Sequence, residues 1–263
     1  SIGPQHLETF KSMENIVKTK FELADAVSEN NGTIFLNYDN EYIASKKDLN
    51  CKTISYGIEN ETLDYNAYNL VSSSKGLSFE MADKEGTVYT FHTKLIGKHN
   101  IVNIAGAIAV ANFLGVPFKN LIPRVKEIKG VEHRLQLLTP SPHFAIIDDS
   151  YNSNPVSSKS ALDTLAEFEG TKIIVTPGLV QLGDQEKQYN FELGVYMADI
   201  CDYIFLVGEH ANSILEGVRS KKFDENRLFR VSSPNEAMQK IRSFGINGNV
   251  TVLLENDLPD NYL

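Results

Sequence analysis

Asp148, Asp149, Ser150, Tyr151, Asn152, Ser153 and Asn154 place two carboxyl groups, a phenol, two hydroxyls and two amides in seven consecutive residues. They follow directly on the apolar run Phe144-Ala145-Ile146-Ile147. Such a run predicts a β-strand entering a core, and Pro155 suits the first position of a helix. In open α/β sheets ligands bind outside the carboxyl ends of the strands. The corner after Ile147 therefore carries more chemistry than a connection requires. A plainer reading stays open, in which Asp149 and Ser150 only form a turn and Asn154 only caps the helix.

A second patch is Gly97-Lys98-His99-Asn100-Ile101-Val102-Asn103, which opens a helix rich in small residues through Ala111 and ending before Gly115 and Pro117. Asn100 and Asn103 are three apart and share one side of its first turn. Two amides facing one way can read the edge of a purine through paired donors and acceptors, although on spacing alone a helix cap is the favoured reading. His99, His133 and His143 lack the spacing of metal ligands and read as structural.

Other elements must hold these patches in place. Residues 12–28 predict a helix capped by Ser12, with Met13, Ile16, Val17, Phe21, Leu23, Ala24 and Val27 as its apolar face. Strands are predicted at 33–37 and 52–57, then an antiparallel meander over 67–72, 76–82 and 86–92. A short helix is placed beyond Pro123, ending at Lys129-Gly130. From residue 144 strands (144–148, 171–176, 203–207, 228–231, 249–254) alternate with helices (156–168, 184–200, 209–220, 234–244). Near-continuous apolar strands in such alternation predict a parallel sheet covered on both faces. A boundary at 130/131 gives two domains, 1–130 and 131–263, each of ordinary size.

The totals narrow the function. A net charge of −9 disfavours nucleic acid or an anionic membrane as the main partner. No stretch approaches the length of a membrane span. Two cysteines, Cys51 and Cys201, are too few for a disulfide framework or a four-thiolate zinc site, so a cytoplasmic setting is expected. No Gly-x-Gly-x-x-Gly fingerprint and no Gly-x-x-x-x-Gly-Lys-Ser/Thr phosphate loop occurs.

Taken together, Ile2-Gly3-Pro4-Gln5-His6-Leu7-Glu8, Gly97 to Asn103, and Asp148 to Pro155 resemble motifs of the Mur ligases, in order and spacing over essentially the whole chain. His133-Arg134-Leu135-Gln136 and Thr176-Pro177-Gly178 fit the same pattern. The nearest branch is the MurF type, which joins D-alanyl-D-alanine to a UDP-N-acetylmuramoyl-tripeptide. The resemblance implies an α/β chain made of the later part of a central ATPase domain, with a mixed sheet and β-meander, followed by a Rossmann-like C-terminal domain. It implies ATP and Mg²⁺ as cofactors, an acyl-phosphate intermediate, UDP-MurNAc-peptide and D-amino-acid dipeptide as substrates, and a monomer. It also implies that the chain is the C-terminal part of a longer ligase and, lacking the phosphate loop, turns over no ATP by itself.

Carried over position by position, the resemblance gives His6 a place beside a Mg²⁺ ion, with Glu8 as a helper. It makes Lys20 a lysine carried as a metal-binding carbamate. Val17 lies three residues before Lys20, at the apolar border, which favours a buried role for that lysine over a solvated one. Asn100 and Asn103 would face adenine and Asp149 the ribose. Arg134 would reach the phosphates, a task suited to its planar, permanently charged fork. Asn37 and Asp39 would lie near the nucleotide, and Tyr151, Asn152 and Asn154 would place the amine substrate. Two departures fall on the amine side: Gln181 stands where relatives often have glutamate, and Leu253-Leu254-Glu255-Asn256-Asp257-Leu258-Pro259 replaces a Lys-Gly-Ser-Arg run. Three rival readings compete with this one. An amidating relative would carry a four-cysteine zinc insertion, a folate polyglutamylating enzyme matches the Asp-Ser-Tyr-Asn stretch less well, and a non-catalytic nucleotide-binding piece is the alternative class.

Overall fold

A computed structural model describes residues 1–46, 49–208 and 211–256. It divides into two units, one of residues 1–3 and 10–129, the other of residues 4–9 and 130–263. The first helical turn is α1 (Leu7–Phe10). In the first unit α2 (Met13–Glu29) begins where the Ser12 hydroxyl accepts the Asn15 N–H at 3.2 Å. Its buried stripe is Ile16, Phe21 and Ala24. Leu23 is 67% exposed, because the helical turn carries it to the side opposite Phe21. Lys20 is also exposed, which corrects the buried role expected of it. It sits four residues from both Ile16 and Ala24, but its long side chain carries the charge out to solvent.

The chain continues through β1 (Thr33–Asn37), α3 (Glu41–Ala44), β2 (Lys52–Ile58), β3 (Tyr65–Ser73), β4 (Gly76–Ala82) and β5 (Val88–Thr93). Among the described residues these strands form a sheet in the order β1-β2-β3-β4-β5. The β1–β2 and β2–β3 pairs are parallel, and β3–β4 and β4–β5 form the antiparallel meander. Helix α4 (His99–Phe113) packs against β1, β2, β3 and β4. At Gly106 an added Cβ would lie 2.8 Å from the Tyr56 ring, so a glycine is what lets the helix sit that close. Helix α5 (Phe118–Lys126) starts before Pro123 and contains it, contrary to expectation. The lost N–H is tolerated because Lys119 and Pro123 face solvent, while Phe118, Leu121 and Val125 bury the other side.

In the second unit the elements are β6 (Gln136–Ser141), β7 (Phe144–Asp149), α6 (Pro155–Ala166), β8 (Thr171–Thr176), α7 (Glu186–Ile200), β9 (Tyr203–Val207), α8 (Asn212–Ser220), β10 (Leu228–Val231), α9 (Pro234–Ser243) and β11 (Val250–Glu255). Glu209 and His210, placed at the start of a helix by the sequence reading, lie outside the described residues, as do Asp257, Leu258 and Pro259. The sheet order is β10-β9-β8-β11-β7-β6, with every pair parallel except β6–β7. The five strands expected to run parallel do so, and β6, which the sequence reading did not place, adds an antiparallel strand at one edge just after the boundary segment. Helices α6, α7 and α8 pack side by side, and α9 packs on β8 and β10. The chain reverses direction after β10, which puts α9 on the opposite face. No helix among the described residues is long and apolar enough to cross a membrane.

Helices α7 and α8 meet through a pair of glycines. A Cβ on Gly194 would fall 2.2 Å from the Ile214 carbonyl oxygen, and one on Gly217 would fall 2.1 Å from the Phe191 oxygen. Both obstacles are backbone, so neither can swing aside. Gly194→Ala should force the helices apart and lower stability by about 2–3 kcal/mol, read as a fall in thermal midpoint; an unchanged midpoint would contradict the close crossing.

Candidate functional site

The second unit collects its polar groups at the carboxyl ends of β7, β8 and β11. At the bottom lies Glu255, fully buried at the end of β11. Its carboxyl group accepts hydrogen bonds from the hydroxyls of Ser153, of Ser158 at 2.5 Å and of Thr176 at 2.7 Å. It thereby ties together the last residue of β8, the turn after β7 and the first turn of α6. Burial pushes its pKa up, and the three hydroxyl donors oppose that. Beside it the Asn256 amide donates to the Gly178 carbonyl at 2.6 Å, and the Asn256 N–H donates to the Asp149 carbonyl at 3.1 Å.

Above this base sits the acid-amide corner. Asp148 accepts the Ser150 hydroxyl at 2.6 Å and lies 2.9 Å from Nδ1 of His133. Asp149 Oδ1 accepts the Leu135 N–H at 2.9 Å. Burial is the main cause that lifts the Asp149 pKa from 3.8 to about 6. The Leu135 N–H opposes the rise, Glu255 and Asp148 add to it, and Arg134 offsets part of it. Asn154 is the N-cap of α6: its Oδ1 accepts from the N–H groups of Val156 and Ser157, and Ser157 returns a bond to the Asn154 N–H at 2.8 Å. The Arg134 guanidinium lies 4.1 Å from the centre of the Tyr151 ring. A cleft of about 230 Å³ opens nearby between α6 and α7, with Lys159, Leu179, Glu192 and Tyr196 in its walls.

His6 Nδ1 lies 2.6 Å from Oε1 of Gln181, and the Glu8 N–H donates to the Gln181 carbonyl at 3.4 Å. His6 and Gln181 both hold left-handed backbone, φ +49° and +63°. In the first unit, Asn37 Oδ1 accepts the Asp39 N–H at 3.0 Å, and the Asp39 carboxylate accepts the Ile58 N–H at 3.1 Å. Burial raises the Asp39 pKa, while Ile58 and the Lys98 charge lower it. Asn100 Nδ2 donates to the Ile96 carbonyl at 2.8 Å, and Asn103 Nδ2 to Asn100 Oδ1 at 3.3 Å. The α4 N-terminus has no side-chain cap, so the cap reading of these asparagines is set aside. The two amides form a linked pair instead.

Residues 1–111 match the Mur ligase middle domain, and residues 133–254 match the Mur ligase glutamate ligase domain. The chain belongs to the Mur ligase family. The UDP-N-acetylmuramoyl-tripeptide–D-alanyl-D-alanine ligase of Bacillus subtilis is 26% identical over 95% of this Mur ligase chain and 54% of its own length. The structure of MurF from Acinetobacter baumannii superposes with a TM-score of 0.84 at 24% identity, over 98% of this chain and 55% of that one. MurF from Thermotoga maritima, solved in complex with ADP, gives 0.80 at 20% identity over 97% and 56%. The chain spans about half the length of the curated relatives it matches.

Of the residues singled out in this Mur ligase sequence, the fold brings Arg134, Asp149 and Tyr151 into one corner, with Asn152 exposed beside them and Asn154 as the helix cap. It also joins Asn37 to Asp39, Asn100 to Asn103, and His6 to Gln181. His6 and Glu8 fall in the second unit and Lys20 in the first. Sequence reasoning missed Glu255 as the buried tie under the corner, and His133 as the partner of Asp148. The available signal for Glu255 was a carboxylate closing the apolar strand Val250-Thr251-Val252-Leu253-Leu254.

Proposed function

We propose that this Mur ligase chain serves in ATP-dependent amide-bond formation in peptidoglycan precursor synthesis, joining D-alanyl-D-alanine to a UDP-MurNAc-tripeptide. The observation that carries the reading is Arg134, a permanent cation beside Asp149 at the carboxyl ends of the parallel strands, where this architecture binds ligands. In the proposed reaction the γ-phosphoryl group moves to a substrate carboxylate, with ADP leaving. The amine then forms the C–N bond as phosphate departs and the nitrogen gives up a proton. Negative charge must be neutralised in the first step, and a guanidinium fork with five N–H donors does this for phosphate oxygens. Tyr151, Asn152 and Asn154 are proposed to lie on the side of the incoming amine, Asp149 to face the ribose, and the Asn100–Asn103 pair to read adenine, as two linked amides can. Asn37 and Asp39 are proposed as nucleotide-side residues.

Mg²⁺, when bound, would neutralise phosphate charge, with His6, Lys20 and Glu8 as its proposed neighbours by resemblance. Among the described residues no group of three or more His, Cys, Asp or Glu side chains is placed to hold a metal ion, and His6 Nδ1 is engaged with Gln181.

The test is an assay of the protein as its gene encodes it, with ATP, UDP-MurNAc-tripeptide and D-alanyl-D-alanine, following phosphate release and product mass. Arg134→Ala should lower kcat/KM by on the order of 10²-fold. Phosphate release with L-alanine and no response to the dipeptide would overturn the substrate assignment. An Arg134→Ala enzyme with full activity would overturn the role of the arginine.

A further inference from the structure

Arg134 is held by more than its own backbone. The residues on either side, His133 and Leu135, both adopt left-handed backbone, φ +58° and +48°. Neither is glycine, and each such residue persists only where its surroundings fix it. Three bonds supply that fixing. His133 Nδ1 meets Asp148 at 2.9 Å, the Leu135 N–H meets Asp149 at 2.9 Å, and the Tyr151 N–H donates to the His133 carbonyl at 3.2 Å. Leu135 itself is buried at 6% exposure. The two left-handed residues thus bend the chain so that Leu135 points into the core and Arg134 points out over Tyr151.

The ring then fixes the head group. The guanidinium carbon lies over the Tyr151 ring, 4.1 Å from its centre, so the ring covers one side of the head group. A guanidinium is poorly hydrated on its faces and carries its donors around its edge. The contact with the ring therefore restrains the head group and leaves the donors that point away from the ring available to an anion. The ion pairs formed among the described residues leave Arg134 out. Tyr151 is 65% exposed, far more than a core aromatic, so packing alone does not account for a tyrosine here.

We propose that Tyr151 is a positioning residue for Arg134: it acts through the arginine, presenting a pre-oriented guanidinium edge to a polyphosphate. This rests on the reading of Arg134 as the phosphate-binding group, and it assigns Tyr151 a different task from direct contact with the amine substrate. The experiment is an NMR titration of the 263-residue chain with inorganic tripolyphosphate, observing the arginine Nε–Hε resonances. There are six arginines, and Arg134→Lys identifies the signal of interest. In the parent chain the Arg134 Hε should be displaced upfield by the ring. It should move downfield in Tyr151→Leu and stay in place in Tyr151→Phe. Tripolyphosphate should titrate the Arg134 signal, with affinity weakened roughly fivefold in Tyr151→Leu and unchanged in Tyr151→Phe.

Equal affinity in the parent and Tyr151→Leu would overturn the positioning role while leaving the phosphate role of Arg134 intact. An Arg134 signal displaced by the ring but unmoved by tripolyphosphate would overturn the phosphate reading, and this inference with it. Backbone signals of β7 monitor folding, and Tyr151→Met replaces the leucine variant should that one fail to fold.

Discussion

Glu255→Ala should destabilise the second unit by about 3–5 kcal/mol, the largest loss expected from any single side chain in the corner. The truncation removes the shared acceptor of three hydroxyls, two of which, on Ser158 and Thr176, are fully buried. A buried hydroxyl stripped of its partner costs about 1–3 kcal/mol, and the vacated volume adds a cavity cost. Part of the loss is recovered, because Ser153 and Ser158 already lie 2.7 Å apart and can pair with one another. Glu255→Gln keeps the shape and one acceptor oxygen, and the hydroxyls can rotate to accept from its amide, so it should cost only about 1 kcal/mol. Urea unfolding followed by circular dichroism distinguishes the two variants. If alanine proved no worse than glutamine, the hydroxyl-carboxyl cluster would not be what joins β8, β11 and α6. The alanine variant should also loosen the Ser153–Asn154 turn, because Ser153 is the link from Glu255 to the residue that caps α6.

This dependence on distant partners marks what the sequence could and could not disclose. Thr33–Asn37, Thr171–Thr176 and Tyr203–Val207 were legible to the residue as strands, because β-branched and apolar residues run without interruption between turn signals. The edge strand Gln136–Ser141 was not. It contains Pro140 and is largely exposed, and an edge strand buries too little to impose a pattern. Pro123 misled in the other direction, since a proline on an exposed helix face breaks only one bond. In the corner, the identities of the polar residues were visible but their partners were not. Glu255 lies 102 residues from Ser153 and 79 from Thr176, a separation that only the strand order β8-β11-β7 closes. The contact of Arg134 with the Tyr151 ring likewise depends on β6 folding back beside β7, the one strand among the described residues that the pattern did not reveal. Asn154 shows another case: its position before Pro155 and its type left capping open as the plainer alternative, and the fold uses it as the cap.

Asp149→Asn should make the chain more stable than the parent above pH 6, by on the order of 2–3 kcal/mol, with the advantage vanishing below about pH 4. In the fold the Asp149 carboxyl keeps its proton until about pH 6, whereas its ordinary value is 3.8. Between those values the native state binds more protons than the unfolded chain, so raising the pH through this window lowers stability. Above it the native state holds a carboxylate that is partly desolvated and flanked by Asp148 and Glu255. Asparagine has the same outline, and its Oδ1 can still accept the Leu135 N–H, so the change removes the charge and keeps the bond. Urea unfolding of both proteins from pH 4 to pH 8 checks this: the stability difference should rise across the window and then level off. A difference that stays flat, or an asparagine variant weaker at pH 8, would mean that burial does not penalise this carboxylate. A side chain that destabilises its own fold at neutral pH, when an uncharged replacement of the same shape is one substitution away, fits a group retained for what it binds. In the protein as its gene encodes it, the same substitution should therefore raise stability and lower the proposed ligase activity together, a combination that a merely structural aspartate would not produce.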